Sequence, residues 1–127
     1  MPVHVLIVDD QAPFRSVART VVELTEGFEV VGEAASGEAS VEAARALAPD
    51  LVLMDVNLPG IDGREAARRI LDARRRTVVL LLSTYEPAEY APWAAECGAA
   101  AYLPKAEFGP ATLVAAWAAA TAGRQAS

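Results

Sequence analysis

Cysteine is almost missing from this chain. Cys97 stands alone, so no intrachain disulfide can brace the fold, which fits a reducing compartment. The single histidine, His4, leaves no His/Cys spacing that would suit zinc. No stretch approaches the roughly 18 uninterrupted apolar residues of a membrane span. The N-terminal apolar segment is short, lacks a basic flank and runs into Asp9-Asp10, so it does not read as a signal peptide. A cytoplasmic chain without membrane contact is expected. Lysine is as scarce as cysteine: Lys105 is the only one, beside ten arginines. The net charge of −6 argues against direct nucleic-acid contact, which needs a basic surface. The one basic cluster, Arg74-Arg75-Arg76, follows a predicted helix, where positive charge complements the helix dipole.

What is present is hydrophobic patterning. With 127 residues and 54% apolar content, the chain is long enough for one domain with a real core. Much of that content is alanine, so a core rich in small residues is expected. No repeat, linker or low-complexity boundary divides the chain. Residues 1–122 read as the folded domain and 123–127 as a frayed tail.

Strand-like and helix-like segments alternate five times. Strands are predicted at His4–Val8, Phe28–Val31, Asp50–Met54, Thr77–Leu82 and Ala100–Leu103. Glu29 and Glu33 mark the second as an edge strand, and the fourth is apolar enough to be central. The first helix carries Phe14, Val17, Ala18, Val21 and Val22 at helical spacing and ends at Gly27. Ser36 caps the second, with Val41, Ala44 and Leu47 inward and Pro49 closing it. Asp62 and Glu65 have capping-box spacing before a helix that buries Ala66, Ala67, Ile70 and Leu71. A fourth helix falls between Glu86 and Cys97, ended by Gly98. Pro110 starts the last, with Leu113, Val114, Trp117 and Ala118 inward. Such alternation predicts an α/β fold: a parallel sheet, doubly wound, with helices on both faces.

Ligands in sheets of this kind bind beyond the carboxyl ends of the strands. Two apolar runs end in aspartate, Val3–Val8 at Asp9-Asp10 and Leu51–Met54 at Asp55. Ser83 and Lys105 also follow strands. Five polar groups from four strands therefore share one rim. Three carboxylates held together repel strongly, so the cluster suggests cation binding or chemistry. Hard oxygens suit magnesium, which takes one or two carboxylates and a phosphate oxygen; calcium wants more protein oxygens. A lysine ammonium and a serine hydroxyl can bind a phosphoryl group, and a carboxylate can be its acceptor. Taken singly, each residue has a plainer role: Asp9, Asp10 and Asp55 as turn or cap residues, Ser83 as a helix cap, Lys105 as a solvated charge. Those roles leave the gathering of all five unexplained. Cys97 reads as a small buried hydrophobe, His4 as structural, and Trp93 and Trp117 as packing or partner-surface residues.

The motifs VLIVDD, LVLMDVNLPGIDG, LLLST and AAAYLPK occur in this order. With them the chain resembles the receiver domain of bacterial two-component response regulators over nearly its whole length. It is most similar to receivers that precede a helix-turn-helix output domain. The resemblance implies a five-stranded sheet in the flavodoxin-like order 2-1-3-4-5. It implies that Asp55 accepts a phosphoryl group from a sensor histidine kinase or phosphotransfer protein. Mg2+ would be bound by Asp10, by Asp9 through water, by Asp55 and by the backbone carbonyl of Asn57. Lys105 would pair with the phosphoryl group, Ser83 would move to hydrogen-bond it, and Tyr102 would swing inward. The surface of the fourth helix, fifth strand and fifth helix would then change its partner or homodimer contacts. Such a protein slowly loses its own phosphoryl group and is not a turnover enzyme.

Two departures from the family pattern stand out. Ala106 follows the lysine where proline is frequent, and Pro104 precedes it. Pro92 falls inside the expected fourth helix, which predicts a short or irregular one. Three other readings compete. An aspartate-nucleophile phosphatase would carry a second aspartate where Asn57 stands, and a capping domain. A flavodoxin-type cofactor module would need a glycine- or hydroxyl-rich loop in place of Asp9-Asp10-Gln11. A degenerate receiver, acting as a phosphorylation-independent interaction module, is opposed by the intact acidic set and Lys105.

Overall fold

The computed structural model of the chain describes residues 2–84 and 96–125. Its strands are β1 (Val3–Val8), β2 (Phe28–Ala34), β3 (Leu51–Asp55), β4 (Val78–Ser83) and β5 (Ala101–Pro104). Among the described residues the helices are α1 (Ala12–Glu23), α2 (Gly37–Leu47), α3 (Gly63–Ala73) and the C-terminal α4 (Pro110–Gln125). The expected fourth helix, with Pro92 and Trp93, lies outside the described residues, as does Tyr85. Glu96 and Cys97 are helical, and Gly98 follows with φ 88°.

All four strand pairings are parallel, in the order β2-β1-β3-β4-β5. Every residue of β3 and β4 is buried, as their unbroken apolar sequences require of interior strands. Strand periodicity divides the core in two. Leu6, Val8, Val52, Met54, Val79 and Leu81 face α2 and α3, against Ala44, Ala66, Ala67 and Ile70. Val5, Ile7, Leu51, Leu53, Val78, Leu80 and Leu82 face the opposite way, against Ala18 and Val22 of α1 and Leu113 of α4. Four of those seven helix residues are alanines, which lets helices lie close to the sheet. The chain leaves β1 outward to β2 and returns to β3. The crevice at the carboxyl ends of β1 and β3 is therefore the switch point of strand order.

Several local expectations need correction. Gly27 does not end α1, which stops at Glu23; its φ of 88° turns the chain into β2. β2 is three residues longer than expected. A register shift opposite Val5/Leu6 carries it on to Ala34, whose carbonyl accepts from the Asp9 amide at 3.1 Å. Val17, Leu47 and Val114 are exposed, and so is Ala118. The inner face of α4 is instead Leu113, Ala116, Trp117, Ala120 and Thr121, with Trp117 edge-on to Phe28 at 6.2 Å. Asp62 caps α3 through the Glu65 amide at 3.0 Å, but the Glu65 carboxylate turns to Arg68 and Arg69 rather than back to the cap. Ser36 caps α2 as expected, through the Ala39 amide. Ala48 then takes the left-handed turn before Pro49. α4 continues through Gln125.

Candidate functional site

Parallel register brings the strand ends to one rim. β1 delivers Asp9 and Asp10, β3 ends in Asp55, β4 ends in Ser83, and Pro104 pairs with Ser83 so that Lys105 comes next. One carboxylate oxygen each of Asp9, Asp10 and Asp55 lies within 4.8 Å of the others. Asp9 is 1% and Asp55 5% exposed, whereas Asp10 opens to solvent. The Lys105 Nζ reaches across from β5 to lie 2.6 Å from Asp9 Oδ2 and 3.6 Å from Asp55 Oδ1. Lys105 opens a single 3-10 turn, Lys105–Glu107, with Pro104 extended before it. Ser83 is fully buried. Tyr102 is half-buried and packs on the α2/α3 side of the sheet. Asn57 is exposed, and its amide approaches Asp55 Oδ1 at 3.4 Å.

Around Asp55 the backbone is tightly seated. The Val56 amide donates to the Leu82 carbonyl, and the Gly63 amide donates to the Val56 carbonyl, both at 3.0 Å. A Cβ on Gly63 would run into the Asp55 carbonyl oxygen and the Val56 Cα, so only glycine lets α3 start this close to the site. Gly60, at φ 75°, passes the Glu38 carboxylate, which also accepts from the Ile61 amide at 3.2 Å.

The electrostatics follow from burial. Loss of water, reinforced by the Asp9 charge, lifts the Asp55 pKa from 3.8 to about 6. Lys105 and the Asn57 amide pull the other way, and the Asp10 charge adds a smaller upward push. Three carboxylates face one ammonium, which leaves two negative charges uncompensated when all three are ionised. The donors are all hard oxygens. A divalent hard cation fits this set in both charge and ligand type.

His4 and Cys97 lie apart from the rim. The His4 amide donates to Asp50 at the start of β3, and Cys97 sits in the core beside α3. Three contributors escaped the sequence reading. The face of Phe14 lies 4.4 Å from Lys105 Nζ, with Phe108 tilted against it at 6.4 Å. The Gln11 amide donates to Asp9 Oδ1 at 2.8 Å. Arg15 donates to the Asp9 carbonyl at 2.7 Å. In the sequence Phe14 signals only a helix-core position. Gln11 and Arg15 carry no signal, since one acts through its backbone and the other depends on where β1 meets α1.

Comparison with known proteins agrees with this geometry. Residues 5–118 match the family described as the response regulator receiver domain. The chain is 42% identical over 107 residues to a protein-glutamate methylesterase/protein-glutamine glutaminase of Alkalilimnicola ehrlichii, covering 83% of this chain and 27% of that protein. It is 39% identical over 103 residues to the response regulator GacA of Pseudomonas viridiflava, covering 81% of this chain and 48% of that one. The chain thus spans about half the length of the GacA relative and about a quarter of the methylesterase. A crystal structure of a LuxR-family two-component response regulator from Aurantimonas sp. SI85-9A1 superposes with a TM-score of 0.86 at 34% identity, over 97% of this chain and 87% of that one. The order of strands, the acidic switch-point crevice and the matched span agree: this chain belongs to the receiver domain family of response regulators.

Proposed function

We propose that this receiver is a phosphorylation switch in which Asp55 accepts a phosphoryl group from the phosphohistidine of a sensor kinase or phosphotransfer protein. An Asp55 carboxylate oxygen would bond to phosphorus as the bond from phosphorus to the imidazole nitrogen breaks, and the departing imidazole would take a proton from water. In the metal-free chain, burial and the Asp9 charge raise the Asp55 pKa to about 6, which still leaves the carboxylate mostly ionised at neutral pH, as a nucleophile must be. Magnesium would be held by Asp10, by Asp9 through water, by Asp55 and by the Asn57 carbonyl. When bound it supplies positive charge to the phosphoryl oxygens. Lys105 stands within 3.6 Å of Asp55 and would exchange its Asp9 contact for the new phosphoryl oxygens. Ser83 would donate a hydroxyl hydrogen bond to the same group, and Tyr102 would turn inward behind it. The β5–α4 surface would then change, altering contacts with an output domain, a partner or a second copy of the chain. Slow loss of its own phosphoryl group makes this a signalling component without substrate turnover. Residues 1–122 would form the receiver domain, with its last helix running on to Gln125.

The observation that carries this reading is the buried Asp9–Asp55 pair beside Asp10, bridged by the chain's only lysine. The test is incubation with Mg2+ and acetyl phosphate or beryllofluoride, repeated with Asp55→Asn. Modification that depends on both Mg2+ and Asp55 is the expected result. No modification of either protein would overturn the reading in favour of a phosphorylation-independent module. Rapid turnover of a small phosphate ester would favour a phosphatase.

A further inference from the structure

Every polar group of Asp9 has a partner. Its amide donates to Ala34, its Oδ1 accepts from the Gln11 amide, its Oδ2 meets Lys105, and its carbonyl accepts from Arg15 Nη1 at 2.7 Å. The last of these is a side chain placed by a relay. Glu33 on the edge strand β2 accepts from Arg15 Nε at 3.2 Å through one oxygen. Its other oxygen accepts from Arg19 Nε at 2.8 Å, one turn further along α1. The carboxylate thus stands between two guanidinium groups, and Arg15 spans from Glu33 to the Asp9 carbonyl.

The Asp9 carbonyl belongs to the peptide plane that joins Asp9 to Asp10. A peptide plane is rigid, so fixing its oxygen fixes the direction in which the chain continues to the Asp10 Cα. Asp10 is the exposed member of the acidic set, and the adjoining peptide is what aims it. We propose that Arg15, oriented by Glu33, is a positioning residue for the metal-binding site: it holds the Asp9 carbonyl and so aims the Asp10 carboxylate at the cation. The inference rests on the reading of Asp9 and Asp10 as metal ligands.

Charge and positioning predict opposite signs. Arg15 is a cation near a site for a cation, so removing its charge alone would tighten Mg2+ binding. Loss of positioning would weaken it. Magnesium titrated into the full chain by calorimetry should bind Arg15→Gln about 10-fold more weakly than wild type, the scale typical of outer groups that orient metal ligands. Unchanged or tighter binding would overturn the proposal. Should Arg15→Gln fail to fold, Arg15→Lys serves, because it keeps the charge but cannot span from Glu33 to the Asp9 carbonyl. It too should bind Mg2+ more weakly, and wild-type affinity would refute the role. A second readout needs no metal. In EDTA, the Asp9 and Gln11 amides should exchange with solvent faster in Arg15→Gln than global unfolding accounts for, and equal protection would count against the proposal. A wild-type chain that bound no Mg2+ would sink the functional reading while leaving this exchange comparison to judge Arg15 on its own.

Discussion

Replacing Asp55 with asparagine should stabilise the metal-free protein. Asp55 is 5% exposed and shares its crevice with two further carboxylates, so its ionised form is disfavoured in the folded chain. Its pKa rises from 3.8 to about 6, a displacement of about two pH units. At about 1.4 kcal/mol per pH unit, ionised Asp55 costs the folded state about 3 kcal/mol. The direction of the pH dependence follows from proton binding. Between about pH 4 and 6 the folded chain keeps a proton that the unfolded chain has released, so stability falls as pH rises through this window. The cost is complete above the window and absent below it. An asparagine amide at this position resembles the protonated acid and escapes the cost. Urea unfolding in EDTA should therefore show Asp55→Asn more stable than wild type by about 3 kcal/mol at pH 8, shrinking to about 1.5 kcal/mol at pH 5. Adding Mg2+ at pH 8 should restore stability to the wild type and much less to the variant, because the cation offsets the same repulsion. A variant no more stable than wild type at pH 8, or an advantage that ignores pH, would refute this electrostatic account of the site.

Lys105→Met should leave the buried Asp9 carboxylate without its ammonium and cost about 3 kcal/mol in metal-free urea melts. The same variant should bind Mg2+ at least as well as wild type, since a competing cation is gone; lost metal binding would contradict the arrangement. Gly63→Ala should destabilise by about 2 kcal/mol or more, because the new methyl meets backbone at Asp55 and Val56 that cannot yield. Thermal melts would show it, and an unchanged midpoint would disprove the close approach. Ser36→Ala removes the oxygen that accepts the Ala39 amide and should cost about 1 kcal/mol in the same melts while leaving Mg2+ affinity unchanged.

Much of this protein was legible without coordinates. The apolar runs Val3–Val8, Leu51–Met54 and Val78–Leu82 have to be buried on both faces, and their regular alternation with helical periodicity leaves few options besides a doubly wound parallel sheet. That sheet places residues following its strands on one rim, so Asp9, Asp10, Asp55, Ser83 and Lys105 were identifiable as a set. Finer features were not legible. Val17, Leu47 and Val114 match the helical spacing of core residues, yet lie just outside the strip each helix buries, because a spacing rule does not fix the angle at which helix meets sheet. The extension of β2 to Ala34 depends on a shifted register with β1, a property of the pair rather than of either strand.

Which groups reach the site follows from strand periodicity and parallel connectivity, and both act along the chain. How those groups are held is set by packing between elements. The Phe14 face against Lys105, the Arg15 grip on the Asp9 carbonyl and the raised pKa of Asp55 all arise where separate elements meet. They depend on distances of a few ångströms and on the exclusion of water, and neither is defined until the helices have packed against the sheet.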